Sequence, residues 1–336
     1  MKAAIYLGQE HVEIQELQDP VCGDNDVVIQ NIYSSICGTD VAVYTKGPNT
    51  GHKVSVGGEF GHETVSRIVE VGKNVTDFRV GDRVYPYPLY AKNDTRRAGT
   101  IGGFSERILV PEAKRGHSLY AVPQEIPDRL ACLIEPFTVG CRAARRGQPQ
   151  KGESAVVFGR GTIGLAAAVA LWYFGMDKVM ICDVSDFRLG IAEELGFAVC
   201  NTEKENFIQK AADYFGTASA LTGMVPNIDC WIDAAGAESI LDLFMQYGKI
   251  ISRFVAVAVN NKPRQLDLLH MTYAQKSIIG SGGYFPEDVR DVMAIMASGR
   301  WNLESIITQE FPLEQISEAI QTAADPGKAF NVTIKF

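Results

Sequence analysis

The sequence has no pair of cysteines at Cys-x-x-Cys spacing, no apolar run of membrane-spanning length and no excess of basic charge. Its seven cysteines stand at 22, 37, 132, 141, 182, 200 and 230, an odd count with wide gaps. That spacing excludes the four-cysteine signature of a structural zinc site and fits free thiols in a reducing cytoplasm. The longest near-apolar run, 163–174, is shorter than the roughly 20 residues a membrane helix needs. The N-terminal Met1-Lys-Ala-Ala-Ile-Tyr-Leu7 meets Gly8 and Gln9 at once, which reads as a first strand rather than a secretory leader. A net charge of -8 argues against nucleic acid or an anionic membrane as partner. The basic clusters Arg96-Arg97 and 142–146 are short and read as solvated faces.

What is present points to a globular protein of more than one domain. The 336 residues are 46% hydrophobic and 21% charged, too long a chain for one ordinary core. Up to about Pro123 the pattern is short β-type runs broken by glycine, such as 27–33, 64–71 and 83–85, which suggests a β-barrel or sandwich. From about Glu135 to Lys276 the rhythm becomes strand and helix in alternation. Strands are expected at 154–158, 178–182, 227–233 and 250–259, and helices at 162–174 and at 186–195 behind Ser185 as N-cap. Such alternation implies a parallel sheet with helices on both faces, so the fold class is α/β plus β. Beyond Gly280 the expectation is helices at 287–298 and 313–324, then a strand at 331–336 that could rejoin the first domain. Proline and glycine mark linker candidates at 122–128 and 146–152.

Gly159-Arg160-Gly161-Thr162-Ile163-Gly164 is a Gly-x-Gly-x-x-Gly. Bare, it is a common glycine-rich turn. Here it follows a predicted strand and opens a predicted helix, and the next strand ends on an acid, Asp183. In that setting Gly159 permits the tight turn, Gly161 lets the backbone approach a pyrophosphate, and Gly164 lets helix pack on strand. The helix N-terminus receives the phosphates and Asp183 accepts from the ribose hydroxyls. The same carboxylate would repel a 2′-phosphate, which favours NAD over NADP. Arg188 either bonds the adenosine end or faces solvent.

Cys37-Gly38-Thr39-Asp40 and Gly61-His62-Glu63 offer a thiolate, an imidazole and a carboxylate. Three such donors leave a fourth zinc position open, the catalytic arrangement. A lone buried cysteine or histidine is more often structural, and sequence alone does not bring the segments together. Glu135 sits in an otherwise apolar stretch, so it is paired, exposed in a cleft or bound to metal.

Those two segments, with Val69-Glu-Val-Gly72, Val80-Gly-Asp-Arg-Val84, Gly103-Phe-Ser-Glu106, the Glu135-Pro-Phe-Thr-Val-Gly-Cys-Arg-Ala143 stretch, the glycine-rich turn, Gly280-Ser-Gly-Gly-Tyr284 and Ile306-Ile-Thr308, resemble in order the signature series of zinc-dependent medium-chain dehydrogenases. The resemblance runs essentially end to end and is nearest the polyol branch of sorbitol, xylitol and butanediol dehydrogenases. It implies a GroES-like β-barrel catalytic domain, 1–136 and 278–336, split around a Rossmann NAD-binding domain, 137–277, with the active site in the cleft between them. It implies zinc on Cys37, His62 and either Glu63 or Glu135, a homodimer or homotetramer, and NAD-linked oxidation of a secondary alcohol to a ketone. Sugar alcohols, sugar phosphates, cyclitols and short diols all remain open as the small-molecule substrate.

The chain also departs from the family pattern. The stretch 86–103 is short and has no cysteine, so one catalytic zinc and no structural zinc are expected. The usual relay histidine is replaced by Ala42. Thr39 then passes the proton through the cofactor ribose to water, with His52 as a weaker substitute. The segment 254–260 lacks a glycine found in relatives beside the nicotinamide. Two alternatives are a zinc-free NAD(P)H reductase of the same superfamily, which would lack Cys37, His62, Glu63 and Glu135, and a non-enzymatic nucleotide-binding protein.

Overall fold

The computed structural model describes residues 1–50, 53–91, 100–159, 161–260, 262–325 and 327–336. His52, Arg96, Arg97 and Arg160 lie outside the described residues. The chain divides into two units, Met1–Pro136 with Met296–Phe336, and Phe137–Ile295.

In the first unit the strands are β1 (Lys2–Gly8), β2 (His11–Glu16), β3 (Val27–Ser35), β4 (Gly58–Glu59), β5 (Glu63–Val71), β6 (Arg83–Pro86), β7 (Arg107–Val110) and β8 (Leu119–Ala121). A helix α1 (Gly38–Lys46) follows β3, and α2 (Asp128–Ala131) and α3 (Ile134–Arg146) lead out of the unit. β-branched and aromatic residues make up most of the two long strands, β3 and β5, as a pleated surface packed on a core favours. Val27, Ile29, Ile68, Val84, Ile108 and Leu119 form one apolar core. A second core is built on Tyr6, Phe60 and Phe104.

The second unit begins with β9 (Ser154–Phe158), α4 (Thr162–Tyr173), β10 (Lys178–Asp183), α5 (Asp186–Glu194), β11 (Ala198–Asn201) and α6 (Phe207–Phe215). A hairpin, β12 (Thr217–Ala220) and β13 (Gly223–Pro226), precedes β14 (Cys230–Asp233), α7 (Glu238–Tyr247), β15 (Arg253–Ala256), α8 (Leu268–Ala274), β16 (Ser277–Gly280) and α9 (Pro286–Ala297). The large sheet has the order β11-β10-β9-β14-β15-β16, and every pairing in it is parallel. The order runs outward in both directions from β9 and β14, so the doubly wound sheet has its switch point between them. Helix α4 is apolar on all sides and its residues Gly164 to Leu171 are buried. Phe158, Phe207, Trp231, Phe244 and Phe254 pack together behind the sheet.

The chain then returns to the first unit with β17 (Ile307–Pro312), α10 (Ile316–Ala324) and β18 (Asn331–Lys335). β18 pairs with β3, Thr333 opposite Ser35, and Ile316, Ile320, Val332 and Ile334 complete the core around Phe60. The final strand thus rejoins the first unit.

Three boundaries differ from the sequence reading for local reasons. β14 starts at Cys230 rather than 227, because Asn227 takes part in a turn in which the Ile228 N–H donates to the Pro226 carbonyl. β15 spans four residues rather than 250–259. Ile250 bonds the hairpin at Ser219, and Ile251 sits at φ +64°, outside the extended region. The return to the first unit falls at Met296 rather than at 278. Ser277–Gly280 pairs as an edge strand of the parallel sheet, and the fully buried Asp288 of α9 accepts from Arg145 Nε of α3 at 2.7 Å.

The turn from β9 to α4 is the tightest backbone approach in the second unit. A Cβ on Gly164 would stand 1.7 Å from the Gly159 carbonyl oxygen, and one on Gly159 would stand 2.7 Å from the Ala234 and Ala235 backbone. Both neighbours are main chain, so neither can rotate away. Gly164→Ala should therefore lower stability by about 1–3 kcal/mol, the usual penalty for forcing a close-packed site apart. Equilibrium urea unfolding measures this, and an unchanged midpoint would refute the close approach.

Candidate functional site

Cys37 ends the extended run of β3 and is the N-cap of α1. Asp40, three residues on, turns back so that its Oδ2 accepts the Cys37 N–H at 2.9 Å. This reciprocal cap fixes the cysteine at the helix start. His62 and Glu63 stand at the entry to β5, where Ser35 pairs with Glu63 across the ladder.

The approach to His62 depends on glycine. Gly61 has φ +87°, and a Cβ there would meet the Phe104 ring at 2.7 Å. From the other side, the Gly103 N–H donates to the Gly61 carbonyl at 2.8 Å. A Cβ on Gly103 would stand 2.9 Å from the His62 backbone nitrogen.

These elements bring one donor atom each from Cys37, His62 and Glu63 within 4.8 Å of one another. A sulfur, an imidazole nitrogen and a carboxylate oxygen at that spacing are a donor set suited to zinc. Glu135, buried at the start of α3, lies outside this tight trio but acts on the charge of both Cys37 and His62. The structure therefore brings the three together with Glu135 beside them.

The electrostatics of the cluster agree with its chemistry. Burial pushes the Cys37 thiol well above its usual range, and Glu63, Asp40 and Glu135 push it the same way. The Thr39 hydroxyl, in hydrogen-bond contact with that sulfur, holds the shift back. Burial alone would lower the His62 pKa, but Asp40, Glu135 and Glu63 outweigh it and raise it. Glu63 is raised by burial, with His62, Ser35 and Cys37 opposing. Asp40 is pushed up to about 6 by burial, against His62 and the Cys37 N–H. A buried set with this excess of negative charge gains most from a divalent cation, which favours the thiolate and both carboxylates at once.

Sequence reasoning did not anticipate the supports of this cluster. Asp40 Oδ1 stands 3.8 Å from His62 Nδ1, and Asn331 Nδ2 on the last strand donates to Ser35 Oγ at 2.9 Å, which in turn bonds Glu63. Asp40 had a visible signal, the acid at the third position of a helix. Asn331 had none, since its partner is nearly 300 positions away.

In the second unit the sequence-predicted residues lie at the carboxyl ends of β9 and β10. Gly161 is the N-cap of α4 and makes no side-chain cap bond. A Cβ on it would meet nothing within 4 Å. Thr162, Ile163 and Gly164 form the first turn of α4, the end of a helix at which backbone N–H groups point outward. Asp183 ends β10, and its Oδ1 accepts from the Val184 and Ser185 amides. Arg188 is half-buried in the first turns of α5.

Comparison with known proteins matches both halves of the chain. Residues 23–124 fit the alcohol dehydrogenase GroES-like domain, and residues 162–298 fit the zinc-binding dehydrogenase domain. The (R,R)-butanediol dehydrogenase of Bacillus subtilis strain 168 is 28% identical, covering 95% of this chain and 94% of its own. The L-threonine 3-dehydrogenase of Yersinia pestis strain Pestoides F is 25% identical over the whole of both chains. Among solved structures, the 2R,3R-butanediol dehydrogenase from Bacillus subtilis superposes with a TM-score of 0.85 at 24% identity, covering 100% of this chain and 99% of that one. Galactitol-1-phosphate dehydrogenase from Escherichia coli superposes with a TM-score of 0.83 at 21% identity, covering 100% of both. At these identities the structural likeness is one of fold. On the matched domains, their order and the end-to-end similarity, the chain belongs to the zinc-dependent medium-chain dehydrogenase family.

Proposed function

We propose that this protein oxidises a secondary alcohol of the polyol or diol class to the ketone, with NAD as hydride acceptor and one zinc held by Cys37, His62 and a glutamate. The observation that carries the reading is the convergence of the Cys37, His62 and Glu63 donor atoms within 4.8 Å. Zinc, when bound, supplies Lewis acidity that lowers the pKa of an alcohol hydroxyl, and NAD supplies the hydride acceptor.

The remaining roles fall to the chain itself. Cys37 and His62 are the two fixed donors, one set by the Asp40 cap and the other by the Gly61 turn. Glu63, tied to Ser35, is the third donor at rest, and Glu135 is the carboxylate poised to exchange with it. Thr39, already bonded to the Cys37 sulfur, takes the hydroxyl proton and passes it onward, since position 42 is alanine. Gly159, Gly161, Thr162, Ile163 and Gly164 cradle the pyrophosphate, while Asp183 selects the unphosphorylated ribose and Arg188 flanks the adenosine end. The free state of all seven cysteines supports a reducing cytoplasm, and the family resemblance supports a homodimer or homotetramer. Among the described residues no helix is long and apolar enough to cross a membrane.

The test is a panel of polyols and diols assayed with NAD and NADP in parallel, on protein of measured zinc content. Turnover of a secondary alcohol with NAD, in proportion to zinc, is expected. Cys37→Ser should lose bound zinc and at least ~10³-fold of kcat/KM, about 4 kcal/mol of transition-state stabilisation. Its NAD affinity should stay within twofold. Full turnover in the zinc-free variant would overturn the scheme. Separately, Asp183→Ser should shift the NAD/NADP preference toward NADP by ~10-fold or more, about 1.4 kcal/mol. An unchanged ratio of kcat/KM values would remove Asp183 from the selectivity.

A further inference from the structure

A cavity of about 400 Å³ opens on the first unit, away from the cysteine and histidine cluster, and is lined by Arg67, Arg83 and Arg115 together with Asp82 and Asp128. Three guanidinium groups thus face two carboxylates, in a chain whose net charge is -8.

The arginines are not casual surface residues. Arg67 and Arg83 are direct cross-strand partners in the antiparallel pair β5–β6. Like charges placed opposite each other in that way oppose sheet formation. Arg83 is compensated, since it is paired with Asp128 and also bonds the Pro123 carbonyl. Arg67 is not. It is the exposed break in an otherwise buried stretch of β5. Its protein contact is Nη1 to the Gly81 carbonyl at 2.9 Å, and among the described residues it forms no ion pair.

Arg115, on another wall, is anchored in the same manner. Its Nε and Nη2 donate to the Asp77 carbonyl at 3.2 and 2.7 Å. Its guanidinium stands 5.0 Å from the Phe78 ring centroid, and it too has no carboxylate partner among the described residues. Backbone carbonyls therefore hold both arginines in place without neutralising them, which leaves N–H groups for a ligand.

We infer that this cavity is a binding site for a phosphate group, whether inorganic phosphate or the phosphoryl end of a small ester. Tetrahedral oxyanions accept several guanidinium N–H groups at once, and the volume suits a small molecule. The site is separate from the proposed zinc cluster. Glu63 and Arg67 lie four residues apart on one strand, roughly 13 Å at the ordinary rise of an extended chain.

The test is thermal unfolding and calorimetric titration of the full chain with inorganic phosphate and, in a second arm, glycerol phosphate, each against chloride at equal ionic strength. The double variant Arg67→Ser, Arg115→Ser should bind whichever probe the wild type binds at least tenfold more weakly, with NAD affinity and zinc content unchanged. In phosphate-free buffer Arg67→Ser alone should unfold no earlier than wild type, because it relieves the Arg67–Arg83 repulsion. A purely structural arginine would instead lower the midpoint, and that result overturns the inference. So does wild-type protein that neither phosphate arm stabilises beyond chloride, or a double variant that binds as tightly as wild type. Binding in the glycerol phosphate arm alone would assign the site to an ester, and equal binding in both arms to the phosphate group itself.

Discussion

The constraint on which the first unit depends is the burial of like charge. Cys37, Glu63, Glu135 and Asp40 share one interior with a single imidazole. Taking acids out of water is unfavourable unless they are paired or bound to metal. Here burial raises Cys37, Asp40 and Glu63 alike, and neighbouring carboxylates add to the rise in Cys37 and Glu63. An apolar core would have been the more stable filling, so the arrangement is legible as one built for a cation. The surrounding scaffold holds it against its own repulsion: a helix cap through Asp40, the register of β3 with β5, and the bond from Asn331 to Ser35. The returning strand β18 is needed at the cluster for that last bond.

How much of this was visible in the sequence depended on how local each constraint is. The Gly159 turn could be read directly, because strand, turn, helix and the acid at Asp183 lie in one short segment, and Gly159 and Gly164 each have a steric reason there. Cys37 and His62 could be named as donors by residue type, yet their convergence is a fact of the β3–β5 ladder and required either coordinates or a family resemblance. Gly61 stood in plain view inside Gly-His-Glu. Its reason did not, since the ring it must avoid is Phe104, far along the chain. The same holds for β15, which ends sooner than its apolar pattern suggests because Ile250 and Ile251 bond the β12–β13 hairpin and α8. Apolar periodicity reports burial, and it cannot report which partner captures the backbone.

The two units carry their constraints independently. In the second, the tightest approach is backbone on backbone, between Gly164 and Gly159, with Gly159 also close against the Ala234 main chain. The first has the same kind of approach at Gly72, where a Cβ would stand 2.3 Å from the Gly23 carbonyl oxygen, and adds a ring on backbone at Gly61 and charge on charge around Cys37. Side chains can relax in ways that main chain cannot. The turn from β9 to α4 therefore tolerates few residue types at Gly159 and Gly164. Gly159 and Gly164 admit no larger residue unless main chain moves, whereas a Cβ on Gly161 meets nothing within 4 Å.

Strand β5 shows how one element carries two unrelated chemistries. Its first four residues are buried, and the candidate donor Glu63 opens it; Arg67 then breaks the pattern outward. The alternation of a strand explains why a side chain can face out there, but not why arginine stands opposite Arg83. A glutamine or threonine would complete the sheet with less repulsion, and Asp128 already answers the charge of Arg83. Anchoring Arg67 to a carbonyl rather than a carboxylate keeps its charge while fixing its direction. Glu63, at the buried start of the same strand, is likewise held by a neutral neighbour, the Ser35 hydroxyl, which fixes its direction without cancelling its charge.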